Sequence, residues 1–157
     1  SDLGRYFREE GTAKAFEDAG LTVERIVAPP EWATAPTQAI PTLSAAVLAH
    51  PEVKIIVWPG GQLLGAVPTF MEALKKQPGE IINIGFDTSP AVIDAFARGY
   101  VQLTSDQQPF LQGYIPILSL CLSWKLGLAP MNLDTGAGFV TAENYQTVAE
   151  WATKGYR

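Results

Sequence analysis

The chain has 157 residues, of which 47% are hydrophobic and 17% charged, enough core-forming material for one domain and too little charge for wholesale disorder. Its formal net charge is −5, and no basic cluster interrupts that balance, which excludes the concentrated positive face that nucleic-acid binding requires. One cysteine, Cys121, excludes an intramolecular disulfide or a multi-cysteine metal cluster, and the single histidine, His50, argues against a His-based metal site or a Ser–His–Asp triad.

Apolar runs are all broken by Pro, Gly or polar residues before they reach membrane-spanning length, and the first residues carry no secretory-leader pattern. A helix is predicted over residues 2–19, with Leu3, Tyr6, Phe7, Ala13 and Phe16 at helical spacing and Gly20 as its stop. Residues 22–27 read as a short strand, followed by the loop that carries Trp32. A second helix is expected at residues 35–49, ending before Pro51. Residues 53–58 form an apolar, β-branched run and hence a buried strand, which Pro59-Gly60-Gly61 breaks.

Helical spacing resumes over residues 62–76, and residues 81–86 are the third predicted strand, ending at Asp87. Ser89 and Pro90 suit the N-cap and first position of a helix that Gly99 stops. A fourth strand is predicted at residues 100–104. Pro109 then opens a helix to Leu126, apolar around its whole circumference and expected to kink at Pro116. Residues 139–140 read as a minimal strand, and Thr141 as the cap of a last helix through Trp151. Strands alternating with helices of this length predict an α/β fold, a parallel sheet flanked by helices in the Rossmann-like manner. The order begins with a helix where such folds usually begin with a strand, so an upstream first strand is expected.

In open parallel sheets, ligands bind beyond the carboxyl ends of the strands. That rule selects Trp32, Trp58 with Pro59-Gly60-Gly61, Asp87, and Asp106-Gln107-Gln108. Together they offer an aromatic ring for the C–H face of a polyhydroxylated ligand, and carboxylate and amide groups for its hydroxyls. Each has a plainer reading. Trp32 pins its loop, Asp87 serves a turn or cap, and the glutamines lead into a helix. Gly60-Gly61 lacks the spacing of a phosphate-binding loop and reads as a turn. His50, near a helix end, reads as structural. Asp134-Thr135-Gly136-Ala137 spells an aspartic-protease tetrad, but that chemistry needs two facing aspartates in an all-β fold.

The run Gly85-Phe86-Asp87-Thr88-Ser89-Pro90, then Arg98-Gly99-Tyr100, then Thr104 through Tyr114 (Thr-Ser-Asp-Gln-Gln-Pro-Phe-Leu-Gln-Gly-Tyr) resembles the C-terminal lobe of type I periplasmic sugar-binding proteins, the ribose-binding-like class. The closing Asp134-Thr135-Gly136 and Gly138-Phe139-Val140 are similar to the same class, as are Phe7, Gly11 and the stretch from Ala15 to Gly20. The resemblance implies that Asp87 bonds sugar hydroxyls, that Gln107 is the amide at the crossover between lobes, and that Trp32 lies near a stacking position. Pro59-Gly60 departs from the Asn-Asp that many members carry, leaving Trp58 or Gln62 to compensate.

The implied organisation is a ligand-binding lobe over residues 1–108, a crossover helix at 109–126, and a return at 127–157. The implied protein is an extracytoplasmic or periplasmic receptor that passes a monosaccharide or similar polyol to an ABC transporter permease, without cofactor and without chemistry. Its crossover helix would pack on an N-terminal lobe or on a second copy of the chain. Two other readings remain at this stage. One is the effector-binding core of a LacI-type regulator; the other is a small α/β enzyme with Asp87 and Asp106 as an acid–base pair.

Overall fold

The computed structural model describes residues 3–136 and 138–156. Asp2 and Ala137, to which the sequence reading gave a place in a helix and a tetrad, lie outside the described residues. Helix α1 (Leu3–Asp18) ends as expected at Gly20, whose φ of +81° only glycine adopts readily and which lets Leu21 N close back on Phe16 O. Two 3₁₀ turns, Pro30–Ala33 and Pro36–Ala39, precede α2 (Ile40–Ala49), so the predicted helix from residue 35 begins as a tighter turn led by Pro36.

Strand β1 (Ile55–Trp58) runs parallel to β2 (Ile82–Phe86), with Trp58 opposite Gly85. Between them lie α3 (Gly61–Gly65) and α4 (Val67–Ala73), where the sequence predicts one helix. Pro68 lacks the N–H that would continue the ladder, and the first helix closes through Ala66 N donating to Leu63 O. Helix α5 (Pro90–Ala97) links β2 to β3 (Leu103–Asp106), again in parallel. Its cap is as predicted: Ser89 Oγ accepts from Val92 N at 3.2 Å.

Helix α6 (Pro109–Leu126) leads away from the sheet and remains a single helix through Pro116. The chain returns as β4 (Gly138–Thr141), antiparallel to β3, and ends in α7 (Tyr145–Thr153). The sheet order is therefore β1-β2-β3-β4, parallel except for its last strand. Thr141 closes a turn before α7 rather than capping it: its Oγ1 accepts from Glu143 N, while Asn144 precedes the first helical residue.

The core is built where α3, α4 and α5 cover the sheet. Leu64, Val67, Phe70, Met71, Val92, Val101 and Val140 are all buried there. Gly85 belongs to this packing, since a Cβ on it would lie 2.9 Å from Trp58 O and 3.1 Å from the Leu64 methyls.

One expectation needs correction. Residues 22–27 form no strand. They join no ladder, and side-chain ion pairs hold them instead: Arg25 with Glu10 and Glu17 of α1, and Glu24 with His50 at 3.0 Å. A strand needs a neighbouring ladder, and the outer edge of β1 carries none among the described residues. The lobe itself does not cover α6, whose residues are apolar all round: Ile117, Leu120, Trp124 and Leu126 stand in solvent, Trp124 at 91% exposure.

Candidate functional site

The carboxyl ends of the three parallel strands are Trp58, Phe86 and Asp106, and the residues that follow them share one edge of the sheet. Asp87 follows β2 directly. Its N–H donates to Ser105 O and its carbonyl accepts from Thr104 Oγ1, both at 2.8 Å, so neighbouring β3 fixes its backbone. Its φ is +72°, a left-handed conformation that Asp tolerates better than most residues. That twist turns the chain out of the sheet toward Ser89. Because Ser89 caps α5, the Asp87 carboxylate is left to face the edge.

Three side chains define its surroundings. Gln107 Nε2 donates to Asp87 Oδ1. Arg8, on α1, places Nη1 3.8 Å from the same oxygen, with its guanidinium 5.3 Å from the centre of the Phe86 ring. Gly61 packs against the Cβ of Asp87, where an added Cβ would come within 3.3 Å. A hollow of about 190 Å³ opens beside this group, lined by Gly61, Gln62, Asp87, Thr88, Ser89 and Ala91. The result is a half-exposed carboxylate flanked by an amide donor and a cation, suited to hydrogen-bonding an uncharged polar ligand.

The structure brings Asp87 and Gln107 together but gives the other sequence candidates different surroundings. Trp58 is 3% exposed; its ring stacks on Phe70 at 5.0 Å and its Nε1 donates to Asn83 Oδ1 at 3.0 Å. Asn83 in turn donates to the carbonyls of Ile81 and Tyr100, and its own N–H is held by Gln102 Oε1. Trp58 is thus a core residue with its polar atom satisfied. Trp32 is likewise packed, at 8% exposure, in the same core cluster as Ala39 and Leu43. Asp106 is buried, and its Oδ1 accepts from Gln108 N at 3.0 Å.

Asp106 therefore helps to shape the crossover. Gln108, at φ +56°, donates from Nε2 to Thr135 O on the returning chain, and Gln112 Nε2 reaches both Gln107 O and Thr135 Oγ1. The outgoing and returning chains are laced together here. Gly138 is required at the crossing, where a Cβ would sit 2.9 Å from Gln108 Nε2 and 3.0 Å from Asp106 O. Asp134 of the protease-like tetrad merely accepts from Gly136 N in a turn on this return. Arg8 escaped the sequence reading, because nothing local to a charged residue on an amphipathic helix distinguishes it from a solvated one.

No protein-family profile matches the chain. Over 104 residues it is 43% identical to a xylose/arabinose-binding protein of Sulfolobus acidocaldarius, a match that takes in 62% of this chain and 26% of that protein. Among solved structures it is similar to a periplasmic sugar-binding protein of an ABC sugar transporter from Legionella pneumophila, with 26% identity and a TM-score of 0.62 over 85% of this chain and 48% of that one. A periplasmic ribose ABC transporter structure from Conexibacter woesei superposes with a TM-score of 0.68 at 19% identity, over 90% of this chain and 47% of that one. The chain thus has the fold of periplasmic sugar-binding proteins. It spans about a quarter of the curated relative it matches and about half of these structures. Among the described residues, no helix is long and apolar enough to cross a membrane.

Proposed function

We propose that this chain supplies the C-terminal lobe of an extracytoplasmic receptor that binds a monosaccharide or similar polyol between two lobes and delivers it to an ABC transporter permease. The observation that carries this reading is the Asp87 carboxylate at the strand ends. It is not used as a helix cap, and Gln107 and Arg8 flank it. A carboxylate held this way accepts from sugar hydroxyls, while the amide and guanidinium donate to sugar oxygens; such charge-assisted bonds contribute ~1.5–3 kcal/mol each. The similarity to a protein named for xylose and arabinose binding, and to a periplasmic sugar-binding protein, supports the ligand class.

On this reading Asp87, Gln107 and Arg8 touch the ligand, Trp58 and Asp106 support the edge from below, and Trp32 anchors the loop beside it. Residues 1–108 form the lobe, 109–126 cross over, and 127–157 return. The second lobe covers the exposed stripe of Ile117, Leu120 and Trp124 on α6. Calorimetric titration of the whole receptor with pentoses and hexoses tests the proposal: saturable binding that Asp87→Ala weakens roughly 10-fold or more supports it, and no binding to any of them overturns it.

A further inference from the structure

Beyond Pro59 at the end of β1, Gln62 is the first residue whose side chain can reach a ligand, since Gly60 and Gly61 have none. It is exposed, lines the hollow beside Asp87, and its amide makes no hydrogen bond among the described residues. A Cβ built on Gly60 would lie 3.5 Å from Gln62 Oε1 and 3.7 Å from Asp87 Oδ2. A methyl group on Gly60 would thus make van der Waals contact with both the Gln62 amide and the Asp87 carboxylate. Gln107 and Arg8 both engage Oδ1 of Asp87, which leaves Oδ2 on the side of Gly60.

We propose that Gln62 is a specificity-determining contact, its amide and Asp87 Oδ2 reading two neighbouring hydroxyls of the ligand across Gly60. The inference rests on the sugar-binding reading above and adds to it the group that discriminates between epimers. Asp87 accepts from a hydroxyl of almost any orientation within reach. The Gln62 amide carries a donor and an acceptor at fixed positions on a planar group, so a hydroxyl inverted at the neighbouring carbon leaves one of them unpaired. A methyl group on Gly60 would crowd both the amide and Asp87 Oδ2.

The test titrates D-xylose, its C3 epimer D-ribose and its C4 epimer L-arabinose into the whole receptor and into its Gln62→Ala, Gly60→Ala and Asp87→Ala variants. Gln62→Ala is expected to weaken the best-bound pentose ~10-fold or more and to shrink the ratio of affinities among the three. Gly60→Ala is expected to weaken that pentose as well, by crowding both groups. Affinity ratios in Gln62→Ala that stay within about twofold of wild type overturn the proposal, since a contact that discriminates by hydrogen bonding changes them by far more. If Asp87→Ala weakens binding while Gln62→Ala leaves it unchanged, only the role of Gln62 is lost. If the unaltered receptor binds none of the three nor any other sugar or polyol, the sugar-binding reading fails and this inference with it.

Discussion

Gln107 Nε2 donates to Asp87 Oδ1 across 20 positions of sequence, joining the end of β2 to the start of the crossover. The bond makes one carboxylate part of both the lobe and the segment that leaves it. A ligand that pulls on Asp87 therefore acts on the crossover too, and the two residues are energetically coupled rather than independent.

Asp87→Ala is expected to cost ~1.5–3 kcal/mol of sugar binding, roughly 10- to 100-fold in affinity, and Gln107→Ala somewhat less. The double variant should lose less than the sum of the two, because each alone already breaks their shared bond. Titration calorimetry on the whole receptor measures all three. An Asp87→Ala variant with unaltered affinity removes that residue from the site.

Trp58 allows a sharp separation of packing from binding. Its Nε1 donates to Asn83, whose amide holds two further carbonyls in a site 1% exposed. Asn83→Leu strands a buried indole N–H and two carbonyls, each costing ~1–3 kcal/mol, so thermal stability should fall markedly. Trp58→Phe should destabilise the fold by a smaller amount yet leave sugar affinity within about threefold, since packing lost away from a ligand changes stability before binding. A large loss of affinity in a folded Trp58→Phe protein would return the indole to the binding site.

Much of this was legible in the sequence, and the exceptions share a cause. Ser89-Pro90 and Gly99 bound α5 because capping and positive φ are local demands that the sequence states locally. Asp87 and Gln107 follow the ends of β2 and β3, and strand ends are themselves readable. Residues 22–27 have a strand-like composition, but pairing is a non-local property that composition does not carry. The face to which Trp58 points depends on the pleat of β1 and on Asn83 one strand away. Arg8 reaches Asp87 only once α1 is laid beside the sheet, a relation that no local pattern encodes.

Gly138 tests the crossing of the outgoing and returning chains. A methyl group there meets a backbone carbonyl, Asp106 O at 3.0 Å, as well as Gln108 Nε2 at 2.9 Å. The side chain can yield, but the carbonyl is fixed by the β3–β4 pairing of Asp106 with Gly138. Gly138→Ala is expected to destabilise by ~1–3 kcal/mol. The urea midpoint reports it, with Gly113→Ala as a control in open space. Equal midpoints for the two variants would mean that the crossing is loosely packed.

The isolated 157-residue chain should bind sugar poorly. A ligand clamped between two lobes loses roughly half its contacts, and its shelter from water, when one lobe is missing. A ligand present at ~100 times its dissociation constant stabilises a fold by ~2.7 kcal/mol, which a thermal shift detects easily. Millimolar pentose should therefore produce little shift in this chain. A saturable shift at micromolar sugar would make the single lobe a competent receptor and dismiss the need for a clamp.

Helix α6 gives the last prediction. Ile117, Leu120 and Trp124 stand at i, i+3 and i+7, so they form one stripe, and they are 66%, 71% and 91% exposed. Met131 and Leu133 of the return segment are also exposed and line one hollow with Leu120, which widens the stripe into a patch. Monomers seldom leave more than a few hundred Å² of contiguous apolar surface in water. The 157-residue chain by itself is therefore expected to self-associate through this face, and Trp124→Ser with Leu120→Ser to shift it toward monomer. Light scattering gives the mass. The difference in emission between the unaltered chain and Trp124→Phe isolates the Trp124 indole, expected to be blue-shifted in the associated form and red-shifted on dilution. A chain that remains monomeric at ~100 µM, with Trp124 emission unmoved by dilution, would show that this face needs no cover, and the proposed packing of a second lobe on α6 would fall.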